Sequence, residues 1–140
     1  MTAYRYYYPI QVRYGDLDPQ WHVNNARFLT LFEQARVSYL MHLGLFDGRS
    51  FFDLGVIVAD AHIAYRAPIF LDQKVQVGVR VASIGNKSLR IECQIEDADS
   101  RAVLATAEFI MVAYDYRAQS SVPVPAEWRK KMSEFEGLTA

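Results

Sequence analysis

The chain has 140 residues with 15 Lys and Arg against 16 Asp and Glu, a formal net charge of -1, so it has no basic field with which to hold a nucleic-acid backbone. Its 51% hydrophobic residues suffice for the core of one domain spanning residues 1–140, while its apolar runs are broken by charge before the roughly 18 residues a membrane span needs. The single cysteine excludes an internal disulfide and a multi-cysteine zinc site, and the opening Met1-Thr2-Ala3-Tyr4-Arg5 lacks a signal-type apolar stretch, so a cytoplasmic protein is expected.

Tyr4 to Tyr14 is expected to be a first strand, rich in Tyr and Val, with Pro9 at its start or at an edge where no ladder donor is required. Gly15-Asp16-Leu17-Asp18-Pro19-Gln20 gathers turn-forming residues, and Pro19 pushes Asp18 away from helical backbone angles, so this stretch reads as a loop. Asn24 or Asn25 can cap a helix from about Ala26 to Leu43, ended by Gly44. Turning about 100° per residue, Phe28, Leu29, Phe32, Ala35, Tyr39, Leu40 and Leu43 share one stripe that should pack on a sheet. Arg36 falls inside that stripe, where a cation must snorkel or find an acceptor, and Glu33 is the nearest by spacing. Glu33 itself reads either as the partner in that ion pair or as a carboxylate looking into a pocket beside the helix start.

A loop from Phe46 to Leu54 leads into four strand-like stretches: Gly55 to Ala67, Lys74 to Ile84, Ser88 to Glu96 and Ala102 to Tyr116. Period-two alternation puts Val75, Val77, Val79 and Val81 on one face. The same rule puts Ile57, Ala59, Ala61, Ile63 and Tyr65 together, with Asp60 and His62 opposite. Gly85-Asn86 and Asp97 to Ser100 make hairpin turns. Cys93 alternates with Leu89, Ile91 and Ile95, which makes it a core residue rather than a nucleophile. Ala126 to Phe135 forms a short charged helix after Val122-Pro123-Val124-Pro125. One long helix across a mostly antiparallel sheet is an α+β plan, and a single helix leaves apolar sheet surface uncovered, so a homodimer or dimer of dimers is expected.

The chemistry-bearing stretch is Tyr14 to Phe28, where Asp16, Asp18, Gln20, His22, Asn24 and Asn25 fill a turn that feeds a helix start. The first amides of a helix lack internal partners and sit at the positive end of the helix dipole, so they can polarise a carbonyl. Asp18 lies seven residues before Asn25. That loop length lets its carboxylate fold back over the helix start as a nucleophile or as a base that activates water. The same residues would equally serve as turn and cap formers. His22, His42 and His62 fall on a loop, a helix end and a strand, so no metal is implied. No nucleophile elbow or phosphate-binding glycine loop occurs.

Asp18-Pro19-Gln20-Trp21-His22-Val23-Asn24-Asn25-Ala26-Arg27, with Phe32-Glu33-Gln34-Ala35-Arg36 and Tyr65-Arg66-Ala67-Pro68-Ile69, resembles the 4-hydroxybenzoyl-CoA thioesterase and acyl-CoA thioesterase branch of the hot-dog superfamily, over nearly the whole chain. The resemblance implies a hot-dog fold, an antiparallel sheet wrapped around one long central helix. It implies hydrolysis of an acyl thioester of coenzyme A or acyl-carrier protein, with Asp18 as the catalytic carboxylate, the Asn25 amide as carbonyl donor, and His22 in the variants that carry this sequence. Gln20 stands where related plant acyl-carrier-protein enzymes have an asparagine, and its amide can order water or substrate. Glu33 is kept as a further candidate. Lys87, Ser88 and Arg90, near the hairpin, match the place where basic residues of related enzymes meet the phosphates of coenzyme A. Coenzyme A enters as part of the substrate, and no separate cofactor is implied. The aromatic residues Phe28, Phe32, Tyr39, Phe51 and Phe52 can shape an acyl pocket. A hot-dog module that binds an acyl thioester without cleaving it is the alternative reading. A dehydratase is disfavoured because its histidine-containing helix sequence is not evident.

Overall fold

The computed structural model describes residues 4–50, 52 and 54–139. In chain order the elements are β1 (Tyr7–Gln11), α1 (Asn25–His42), β2 (Val56–Tyr65), β3 (Lys74–Ile84), β4 (Ser88–Asp97), β5 (Val103–Asp115), β6 (Ser120–Ser121) and α2 (Ala126–Glu136). Every pairing is antiparallel, in the spatial order β1-β3-β4-β5-β2, and the short β6 pairs with β5. A three-residue 3-10 turn, Tyr14–Asp16, cuts the first strand short of the expected Tyr14, because the Asp16 carboxylate accepts the Arg13 N–H at 2.9 Å and bends the chain.

The sheet presents one apolar face to α1. Val75, Val77, Val79 and Val81 of β3, Leu89, Ile91, Cys93 and Ile95 of β4, and Ala105, Ala107, Phe109, Met111 and Ala113 of β5 are all buried, as period-two alternation requires. The alanines of β5 leave room for the helix, whose Phe32 ring meets Phe109 edge-on at 5.8 Å. On α1 the buried stripe is Phe28, Leu31, Phe32, Ala35, Arg36, Tyr39 and Leu40. Leu29, expected inside it, is 47% exposed, on the side of α1 that faces the largely exposed edge strand β2, while Leu31 on the opposite margin is buried.

α2 closes the far end of the sheet. Strand β1 leaves β3 after Gly78, so the Val81 N–H would face an open edge. The Glu136 carboxylate accepts that N–H at 2.9 Å and the Tyr39 hydroxyl at 2.6 Å, tying α2, β3 and α1 together. Burial beside this carboxylate pushes the Tyr39 phenol well above its ordinary range.

β2 departs most from simple alternation. A bulge between Val58 and Asp60 slips its register on β5, so Val56 and Val58 share a face with Ala61, Ile63 and Tyr65, while Ile57 turns to the opposite face with Asp60 and His62. The expected grouping of Ile57 with Ile63 is thereby corrected. This strand has a neighbour on one side only and is exposed along most of its length. Among the described residues, no helix is long and apolar enough to cross a membrane.

Candidate active site

The loop before α1 is a small hairpin. Leu17 and Val23 form a bridge, Asp18 N–H donates to the His22 carbonyl at 3.0 Å, and Trp21 N–H donates back to the Asp18 carbonyl at 3.0 Å. Pro19 supplies the first corner and Trp21 takes φ +67°, the left-handed position that usually goes to glycine or asparagine. Such a bulky residue at positive φ costs on the order of 1 kcal/mol, which the hydrogen bonds of this loop have to offset. Val23 N–H donates to the Ile69 carbonyl, and His22 bridges Phe70, so the segment after β2 anchors the hairpin from the other side.

Within this frame the Asp18 carboxylate is held at one oxygen and faces His22 with the other. Oδ1 accepts the Gln20 N–H at 2.9 Å, and Oδ2 lies 3.9 Å from Nδ1 of His22. That second separation exceeds a hydrogen bond but is short enough for charge attraction when the imidazole is protonated. The Asp18 side chain is 20% exposed, so it borders solvent without being free in it. His22 is half-buried with its ring edge-on to Phe70 at 6.4 Å. Gln20 is exposed and contributes its backbone N–H here.

Asn24, rather than Asn25, is the N-cap: its Oδ1 accepts the Ala26 N–H at 2.9 Å, and its carbonyl accepts Arg27 N–H at 2.8 Å. Asn25 is thus the first helical residue, and among the described residues no acceptor is assigned to its N–H. An open peptide donor at the positive end of an 18-residue helix follows directly from this capping. Asp16 is spent structurally, with its carboxylate on Arg13 N–H, its Oδ1 3.9 Å from Arg27 Nε, and its carbonyl on Asn24 N–H.

Tyr65 belongs to the same neighbourhood although sequence reasoning did not single it out. Its hydroxyl donates to the Asn25 carbonyl at 3.2 Å and its ring packs edge-on against Phe28 at 5.0 Å. Its place at the end of a strand preceding an Arg-Ala-Pro turn is the one signal that marked it.

The other candidates lie elsewhere. Glu33 stands two turns along α1, about 12 Å from Asn25 at the ordinary helical rise. It lines a cavity of about 310 Å³ with Arg36, Val37, Leu40 and residues of β2, β4 and β5. The expected Glu33–Arg36 ion pair does not form: Arg36 is 7% exposed, its Nη1 donates to the Met111 sulfur at 3.0 Å, and its guanidinium sits 4.3 Å from the Phe109 ring centre. Burial lowers the Arg36 pKa from its ordinary value. Phe28, Phe32 and Tyr39 are packed into the core and not into this cavity wall, Phe52 is exposed with its ring 6.3 Å from Tyr116, and Phe51 lies outside the described residues.

Lys87 and Ser88 occupy the β3–β4 hairpin at the end of the sheet opposite the Asp18 loop; β3 alone separates the two ends by about 33 Å. Arg90 is engaged on the outer face with Glu92 at 2.9 Å and Glu108 at 3.4 Å. A single chain therefore does not bring these three residues to Asp18. Cys93 is fully buried and burial pushes its thiol up to about 12, consistent with a core role. Among the described residues, no three His, Cys, Asp or Glu side chains cluster in a way that could hold a metal ion.

An antiparallel sheet packed on one long helix is the hot-dog fold. The sequence pattern of the thioesterase-like superfamily matches residues 12–132, and the chain belongs to that family. It is 28% identical over 126 residues to the long-chain acyl-CoA thioesterase FadM of Escherichia coli, covering 90% of this chain and 96% of that one. A thioesterase from Thermus thermophilus, solved with coenzyme A and Zn, superposes with a TM-score of 0.85 at 30% identity over 99% of this chain and 100% of the other. A 1,4-dihydroxy-2-naphthoyl-CoA thioesterase from Synechocystis shares the fold, with a TM-score of 0.82 at 21% identity, over 91% of this chain and 95% of its own. The chain is thus a thioester hydrolase by class.

Proposed function

We propose that the protein is an acyl-CoA thioesterase in which the Asn25 N–H polarises the thioester carbonyl and Asp18 delivers the attack, either directly or through water. The observation that carries this reading is the pairing of one partly shielded carboxylate with one peptide donor left without an acceptor, both set by the same hairpin and cap. As attack proceeds, negative charge grows on the carbonyl oxygen, and a fixed N–H at a helix start meets it without reorganisation. His22 and Gln20 border the carboxylate and orient water or substrate. The relatives' names support coenzyme A as the carrier, and a cytoplasmic location goes with this reading.

A homodimer completes it. The exposed edge of β2 has unpaired backbone groups, and antiparallel pairing of two β2 strands about a two-fold axis reverses one copy against the other. The Val56 end of β2 lies with the β3–β4 hairpin, and the Tyr65 end lies with Asn25. The reversal carries the hairpin of one copy, with Lys87 and Ser88, toward the helix start of the other, where coenzyme A phosphates would lie.

Purified protein incubated with a panel of acyl-CoA chain lengths while free thiol is monitored tests the reading. Saturable thiol release is expected. Saturable binding with no release at any chain length contradicts it and favours a non-hydrolytic binding module.

A further inference from the structure

One cation in the cavity beside α1 is unaccounted for by hydrolysis of a plain acyl chain. Asn25, Leu29, Glu33, Arg36 and Leu40 follow one another at three- and four-residue steps, so they form one stripe along the helix. β2 runs beside that stripe in the opposite sense: Tyr65 touches Asn25, whereas Val56 and Val58 line the cavity with Glu33 and Arg36. The open amide at Asn25 and the cavity thus lie on one side of α1, and between Asn25 and Arg36 the helix advances by about 16 Å. The cavity wall is otherwise largely aliphatic, with Leu40, Val56, Leu89 and Ile91 prominent.

Arg36 is the exception. It is more than nine-tenths buried, no carboxylate pairs with it among the described residues, and its Nε has no hydrogen-bond partner. A thioether sulfur and an aromatic face are weak substitutes for a carboxylate. A buried guanidinium with an unmet donor is expensive to keep, and a leucine or methionine would fill the same wall without that cost. Glu33, at the exposed rim, acts on the guanidinium as a nearby negative charge but makes no ion pair or hydrogen bond with it. We propose that Arg36 is a specificity-determining residue whose guanidinium donates to an oxygen acceptor near the far end of the substrate acyl chain, so that such chains are preferred to a plain hydrocarbon chain.

The proposal rests on the thioesterase reading, and its test separates the two. Acyl-CoA esters of matched medium and long chain length are compared as plain alkanoyl, hydroxy- or keto-bearing, and terminal-carboxylate forms, by kcat/KM. Their non-hydrolysable thioether analogues are compared in parallel by calorimetry. The wild-type protein is expected to favour the oxygen-bearing chains by roughly 10- to 100-fold, the range of one hydrogen bond to a charged group. Greatest preference for the carboxylate would assign the effect to charge; equal preference would assign it to any acceptor. Arg36→Met is expected to abolish or reverse the preference, and Arg36→Lys to restore part of it. Hydrolysis of all chains by the wild type with no preference overturns the role of Arg36 while leaving the thioesterase reading intact, and needs no variant to fold. Absence of hydrolysis with a retained, Arg36-dependent binding preference upholds the Arg36 assignment and sinks the hydrolytic one.

Discussion

The Asp18 hairpin and the Arg36 cavity lie along the same helix yet are built on opposite terms. At the hairpin, the groups that shape the turn and cap are met by neighbours: Asp18 Oδ1 by Gln20, Asn24 by Ala26, the Asp16 carbonyl by Asn24. In the cavity the wall is mostly apolar and its buried cation is left with a sulfur and a ring. In the proposed reading, local hydrogen bonds fix geometry to within fractions of an ångström where a bond would be broken, whereas shape and one unmatched group suffice where a chain has only to be chosen.

Enlarging the cavity gives the largest effect on stability. Leu89→Ala removes a fully buried side chain from its floor and is expected to cost about 2–5 kcal/mol in chemical denaturation. The variant should also shift chain preference toward bulkier or longer acyl groups, and an unchanged preference would separate this cavity from the acyl site. Removing the cap acts on the other region: Asn24→Ala is expected to lower stability by about 1 kcal/mol and to reduce turnover several-fold, while the ranking of acyl chains stays as in the wild type. A changed ranking would mean that the two regions are not independent. Smallest of all is the response at Cys93. With its thiol pushed up to about 12 and no solvent access, alkylation of the folded protein near neutral pH should be negligible, then appear on unfolding. Rapid labelling of the native state would show that the sheet opens under α1.

Sequence made some of this plain and hid the rest for physical reasons. The 3.6 period of Phe28, Phe32, Ala35 and Tyr39 marks α1, and the period-two valines of β3 mark its buried face, since both patterns are local. The cap was narrowed to two asparagines, and only the hydrogen bond to Ala26 chooses Asn24. The bulge in β2 was not legible, because one inserted residue reverses the face of everything before it and no residue type there announces it. Nor was the positive φ of Trp21, a position that favours glycine, or the contact of Tyr65 with Asn25 across 40 residues of chain. Arg36 was legible as a misfit on an apolar stripe, but spacing pointed it at Glu33, whereas tertiary packing sends it to Met111 and Phe109. Lys87, Ser88 and Arg90 show the same limit: sequence places them near a hairpin, and only the fold shows that hairpin to be at the end of the sheet away from Asp18.

The central claim concerns one carboxylate, and Asp18→Asn addresses it most directly. The amide keeps an oxygen to accept the Gln20 N–H and nearly the same volume, so the hairpin should persist and stability should change little. Thiol release measured under saturating acyl-CoA is expected to fall by at least about 100-fold, with KM altered far less. A folded Asp18→Asn protein that turns over acyl-CoA at close to the wild-type rate would contradict the account.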